Sequence, residues 1–94
     1  MIVPVPNQIS IAIVDDHSLL LNGLEELING FDNCQVIFTA MDKAATVDAL
    51  TNKGLMPDIM LLDIQLKKEN GLKLIPELIA VSYTHLTLPT ICSV

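Results

Sequence analysis

The chain has 94 residues, 51% of them hydrophobic and 17% charged, and its five lysines and eleven acids leave a net charge of −6. That length holds one small domain at most, and the apolar fraction excludes a disordered acidic tail. The acidity, with aromatics at only 3%, argues against a segment that grips a phosphate backbone or stacks bases. No apolar run approaches the roughly 18 residues of a membrane span. MIVPVPNQ lacks the basic start of a signal peptide. Cys34 and Cys92 are too few for a disulfide scaffold, which fits a cytoplasmic protein.

Residues 1–8, with Pro4 and Pro6, read as a disordered leader. Ile9 to Val14 (ISIAIV) is β-branched and largely apolar, the pattern of a strand buried on both faces of a parallel sheet. Ser18 to Asn29 predicts an amphipathic helix with Leu20, Leu24, Leu27 and Ile28 on one face, Leu21 beside them, and Gly30 closing it. Cys34 to Ala40 reads as a second strand. Lys43 to Lys53 reads as a weaker helix capped by Asp42, with apolar positions at Ala44, Val47 and Leu50, and Gly54 and Pro57 stop it. Ile59 to Ile64 (IMLLDI) is a third buried-strand run. Leu72 to Ala80 predicts a third helix with Leu72, Ile75, Leu78 and Ile79 on one face. Pro76 fits there only in the first turn or at a kink. Cys34, Met41, Met56 and Met60 read as packing residues.

The order is therefore β-α-β-α-β-α, with strands starting about every 24 residues, as βαβ units require. It predicts an α/β fold: a parallel sheet with helices on both faces. The acids gather where strands end: Asp15 and Asp16 directly after the first, Asp63 at the end of the third. If the first and third strands are neighbours, three carboxylates meet at the switch point of the sheet, where such folds bind ligands. Like charges so close need a counter-ion. A hard cation such as Mg²⁺, with oxygen ligands and phosphate, resolves the repulsion and suits phosphoryl transfer to a carboxylate. Taken alone, the Asp15–Asp16 pair also reads as a solvated turn or helix cap. Asp63 reads less easily as plain structure, because Met60, Leu61 and Leu62 precede it and Ile64 follows, unless the strand stops at Leu62. His17 reads as a helix-start residue rather than a ligand.

Ile11-Ala-Ile-Val-Asp-Asp-His17, Gly23-Leu24, Pro57-Asp58-Ile-Met-Leu-Leu-Asp63-Ile-Gln-Leu and Asn70-Gly71-Leu72 together resemble the receiver domain of two-component response regulators. The likeness spans about residues 9–80. Its opening is most similar to receivers that precede a helix-turn-helix output domain. The resemblance implies the flavodoxin-like (CheY-like) doubly wound parallel sheet, here incomplete with three βα units of five. It implies Asp63 as phosphoacceptor. Mg²⁺ would be held by Asp16 and Asp63, with Asp15 assisting, and by the backbone carbonyl of Gln65. Gly71 would close the loop after the acceptor strand. A sensor histidine kinase would be the phosphate donor, and phosphorylation would shift the domain between two states. The family's chemistry is that of a phosphoacceptor rather than an enzyme, with at most self-phosphorylation and self-dephosphorylation. Lys67 stands where the family usually has proline, and Lys67, Lys68 and Glu69 read as a solvated loop.

The same resemblance marks what is missing. The family has a fourth strand ending in Ser or Thr and a fifth ending in Lys, whereas all five lysines here lie at or before Lys73. The final residues, VSYTHLTLPTICSV, carry no charge. They resemble translated sequencing-adapter sequence on a truncated frame, so they are expected not to pair, although Thr84 or Thr87 would be the Ser/Thr counterpart if they did. The third strand is then expected to be an exposed edge, leaving the chain poorly folded or self-associating as a homodimer through it. Other readings are a receiver-like interaction module that is never phosphorylated, and a phosphatase with an aspartate nucleophile, disfavoured because Gln65 stands where that chemistry wants an acid. A DNA-binding regulator fits only the parent protein, not this segment.

Overall fold

The structure is a computed structural model that describes residues 8–63, 73, 75, 76, 79, 80 and 90–93. Four strands, β1 (Ile9–Val14), β2 (Cys34–Ala40), β3 (Ile59–Leu62) and β4 (Thr90–Ser93), form one sheet in the order β2-β1-β3-β4. All three pairings are parallel. Helices α1 (Ser18–Asn29) and α2 (Lys43–Thr51) form the first two crossovers, and Lys73, Ile75, Pro76, Ile79 and Ala80 are helical too. The first two strands and α1 match the ranges read from sequence. The expected leader falls almost wholly outside the described residues.

The sheet is apolar on both sides because helices cover both. Ile11 and Ile13 face Leu21 and Ile28 of α1, with Leu24, Val36, Ile59 and Leu61 packed around them. Ala12, Val14, Met60 and Leu62 face the other way, against Ala40 and Leu50, with Val47, Ile75 and Ile91 alongside. The β1–β2 register skips Ile37: Ile11 pairs with Val36, but Ala12 pairs with Phe38. The extra residue shifts the alternation of β2, so Val36 joins one core and Phe38 the other.

Helix phase departs from the sequence reading. Leu21 and Ile28 of α1 are buried, while Leu20 and Leu27 face solvent with Leu19. A stripe of six apolar residues is wider than one sheet face can cover, and packing chooses the half nearest Ile11 and Ile13. On α2 the buried residues are Thr46, Ala49 and Leu50, and Ala44 is exposed. Thr46 tolerates burial because its hydroxyl donates to Asp42 O at 2.8 Å. Asp42 caps the helix as expected, accepting from Ala45 N at 2.8 Å. Gly30 ends α1 in the right-handed region, so its glycine freedom is not used there; Gly54, at φ 64, uses it after α2. Met60 is buried, whereas Met41 is exposed.

Two expectations about the tail are overturned. Thr90–Ser93 does pair, parallel to β3, from Ile59↔Thr90 to Leu62↔Ser93. The far side of β3 is therefore covered, and the exposed edge argued to drive poor folding or dimerisation is absent; the outer strands of the described sheet are β2 and β4. Ile91 adds an apolar side chain to the core, which a β-branched residue does well on a pleated surface. Thr84 and Thr87 lie outside the described residues.

Asp58 ties three strands together at the opposite end from the acidic cluster. Its Oδ2 accepts from both Ser10 N and Ser10 Oγ at 2.9 Å. Its N–H donates to Ser10 O, and its carbonyl accepts from Thr90 N, each at 2.8 Å. The Ser10 backbone bond first, and the Ser10 hydroxyl second, hold the Asp58 carboxyl below its ordinary value of 3.8.

A depressed carboxyl pKa stabilises the fold fully above the unfolded value and loses that contribution as pH falls through the folded one. Ser10→Ala is therefore expected to raise the Asp58 pKa toward 3.8 and to move the acid-unfolding midpoint to higher pH, read by carboxyl NMR titration and circular dichroism. The two neighbouring leucines of α1 test the helix phase. Leu21→Ala should cost about 2–5 kcal/mol in denaturant unfolding, and Leu20→Ala less than about 1 kcal/mol, as for an ordinary surface change.

Candidate functional site

The sheet order decides what meets at its upper end. The chain runs from β1 out to β2, then back across β1 to β3, so β1 and β3 are neighbours at the switch point. Their ladder is in register from Ile11↔Ile59 to Val14↔Leu62. It continues one step past the strands, where Asp63 N donates to Val14 O at 2.9 Å, and the β1–β2 ladder does the same on the other side, where Asp15 N donates to Ala40 O at 2.9 Å. The bond to Val14 sets Asp63 beside Asp15, the next residue of the first strand's end, although 48 positions separate the two in sequence. The third strand stops at Leu62 rather than Ile64, so Asp63 stands just beyond the buried run.

Asp15, Asp16, His17 and Asp63 each offer a ligand atom, and these atoms all lie within 4.8 Å of one another. The side chains of Asp15, Asp16 and Asp63 are only 8%, 10% and 16% exposed, and that of His17 is 57% exposed. His17 Nδ1 lies 2.9 Å from Asp15 Oδ1, 3.0 Å from Asp16 Oδ1 and 3.9 Å from Asp63 Oδ2. The same Asp15 oxygen accepts the His17 backbone N–H at 2.9 Å, which folds the turn so that the ring enters the cluster. His17 is the N-cap of α1 by position, but its side chain does not cap the helix. The sequence reading of a helix-start residue is thus correct for the backbone and misses the ring.

The donor set suits a divalent cation. Three converging carboxylates, nearly withdrawn from water, carry more negative charge than one imidazole neutralises. They are hard oxygen donors of the kind Mg²⁺ prefers. All three acids read from sequence as metal-site residues are brought together. Gln65, Gly71, Lys67, Lys68 and Glu69 lie outside the described residues. β4 supplies the fourth strand expected to be missing and runs to Ser93, which pairs with Leu62, one residue before Asp63. Among the described residues, no helix is long and apolar enough to cross a membrane.

Comparison with known proteins agrees with this geometry. The profile of the response regulator receiver domain matches residues 11–92, reaching into β4. A protein-glutamate methylesterase/protein-glutamine glutaminase of Nitrosomonas europaea is 32% identical over 71 residues, which are 76% of this chain and 19% of that protein. The chain thus spans about a fifth of the length of the curated relatives it matches. Among solved structures, the signal receiver domain of NarL from Mycobacterium tuberculosis superposes with a TM-score of 0.68 at 26% identity, covering 94% of this chain and 68% of that one. RcsB from Salmonella enterica serovar Typhimurium, bound to promoter rprA in the presence of phosphomimetic BeF3−, gives a TM-score of 0.74 at 21% identity, covering 93% of this chain and 47% of that one. With a matching profile over most of its length and the acidic cluster at the strand ends, this chain belongs to the response regulator receiver domain family.

Proposed function

We propose that this domain accepts a phosphoryl group on Asp63 from the phosphohistidine of a sensor histidine kinase, as the signal-receiving part of a response regulator. The observation that carries the reading is the convergence of Asp63 with Asp15 and Asp16 at the ends of β1 and β3. A carboxylate nucleophile needs an approach path and a way to lower repulsion from an incoming anionic phosphoryl group. Asp63, at the rim of the sheet and partly exposed, offers the path. Asp15, Asp16 and Asp63 would hold Mg²⁺, joined by the Gln65 carbonyl, and the ion would neutralise the phosphoryl oxygens during transfer.

The step itself is a substitution at phosphorus. An oxygen of Asp63 forms the new P–O bond, the P–N bond of the donor breaks, and the leaving imidazole takes up a proton. The backbone bond from Asp63 N to Val14 O keeps the nucleophile beside the first strand while this happens. Burial of Asp15 and Asp16 behind it keeps water from that side of the site. The product bears its negative charge next to the two remaining carboxylates, Asp15 and Asp16. A shift between two states of the domain is the expected consequence. The likeness to RcsB bound to promoter DNA supports a transcriptional regulator as the parent protein, with an output domain other than this one making the DNA contact.

Incubation with acetyl phosphate and Mg²⁺ is expected to add one phosphoryl mass to the intact chain, and Asp63→Ala to abolish the addition; unchanged labelling of that variant moves the acceptor elsewhere. No labelling of the parent chain favours an interaction module that is never phosphorylated. A second expectation concerns the charge itself. Mg²⁺ at about a hundred times its Kd should stabilise the fold by about 2.7 kcal/mol, read as a rise in Tm. Asp16→Asn should lose most of that rise while melting no lower than the parent in metal-free buffer.

A further inference from the structure

The nitrogen at the centre of the acidic cluster is an uncommon donor for a magnesium site, and its position follows the geometry of a ligand shell. An octahedral ion with ligands at about 2.1 Å sets neighbouring donors about 3.0 Å apart and opposite donors about 4.2 Å apart. His17 Nδ1 stands 2.9 Å from Asp15 Oδ1, 3.0 Å from Asp16 Oδ1 and 3.9 Å from Asp63 Oδ2. The first two separations fit neighbouring vertices, and the third approaches an opposite pair. All four donor atoms lie within 4.8 Å of one another, so a bound ion would draw the outermost pair in by a few tenths of an ångström to close the shell.

We infer that His17 is a nitrogen ligand of this site, so that it takes first-row transition ions such as Mn²⁺ and Co²⁺ more tightly than Mg²⁺. The inference rests on the acceptor-site reading above and adds the ligand that sets ion preference. An added nitrogen donor raises affinity along the first-row series, more for Co²⁺ than for Mn²⁺, and does little for Mg²⁺, whose shell is built from carboxylate, carbonyl and water oxygens. The residue is already oriented for the task. Its backbone N–H is bonded to Asp15 Oδ1, which fixes the turn, and the ring edge carrying Nδ1 faces inward. Ligation through Nδ1 replaces the 2.9 Å hydrogen bond that this nitrogen makes to Asp15 Oδ1 and leaves the ring proton on Nε2, and the half-exposed side chain gives that proton access to water. The ring also needs no helix duty, since the N-cap position makes no side-chain capping bond. Preorganisation of this kind lowers the ordering cost of binding.

The test titrates the full chain with Mn²⁺ in imidazole-free, slightly alkaline buffer. Free Mn²⁺ is followed by electron paramagnetic resonance, Mg²⁺ is measured by competition, and the bound ion is examined by electron spin-echo modulation. The parent chain is expected to show the modulation of a coordinated imidazole nitrogen. His17→Gln is expected to lose it, to bind Mn²⁺ about tenfold more weakly or worse, and to keep nearly the parent affinity for Mg²⁺. Bound Mn²⁺ without nitrogen modulation in the parent chain overturns the inference while leaving the acceptor site intact. So does a His17→Gln variant that weakens both ions equally. Failure of the parent chain to bind either ion overturns the acceptor-site reading together with it. The spin-echo measurement on the parent chain needs no variant, so the inference stays testable even if the substitution perturbs folding.

Discussion

The register between β1 and β3 is the constraint on which the rest depends. Val14 pairs with Leu62, and the ladder runs one bond further, from Asp63 N to Val14 O. Because side chains alternate along a strand, a slip of one residue would send Asp63 away from Asp15 and turn Met60 and Leu62 toward the α1 side. The same pairing thus builds the acidic cluster and fills both cores. At the other end of these strands, Asp58 bonds Ser10 through both its carboxylate and its backbone N–H and also accepts from Thr90, which pins the register where the cluster cannot. The charged end and the bonded end are complementary: one collects groups that repel, and the other supplies bonds that hold the strands in place.

Covering both faces of the sheet makes that register costly to change. Ala12, Val14, Met60 and Leu62 form one core, and Ile11, Ile13, Leu21 and Ile28 the other. With apolar residues on both sides, neither face can be exchanged for water without exposing a whole row. The bulge at Ile37 lets β2 serve both cores with its own apolar residues, since Val36 and Phe38 then pack on opposite sides. The fourth strand completes the same arrangement by adding Ile91 beside the Met60 core. The neighbouring residues of β4, Thr90 and Cys92, are exposed.

The site inverts the logic of the cores. Three carboxylates lie largely out of water at a position where the fold offers one imidazole in compensation. Such concentrations of like charge cost stability in the free domain and are relieved by a cation or by covalent change at one member. A receiver built this way is poised, since any chemistry that alters the charge at Asp63 changes the balance felt by Asp15, Asp16 and His17 together. The apolar side chains of Leu19 and Leu20, left exposed on the first turns of α1, lie just downstream of that cluster in the chain.

Much of this was legible in the residues. Apolar runs delimited the first two strands to the residue, leucine spacing delimited α1, and Asp42 identified its own helix start, because each of these depends on local sequence alone. The acids at Asp15, Asp16 and Asp63 were legible as a site from their place at strand ends. Other features were not, and for a common reason. Which of α1's leucines is buried depends on where the helix lies over the sheet. The entry of the His17 ring depends on a turn held by Asp15. The pairing of Thr90–Ser93 depends on β3 offering an open edge, and nothing within TICS announces it. The sequence by itself determined the elements, the parallel α/β class and the chemical identity of the cluster. Tertiary structure alone decided the helix phase, the fourth strand and the histidine at the centre of the charge. Those are set by contacts between segments far apart in the chain, whose geometry no local pattern encodes.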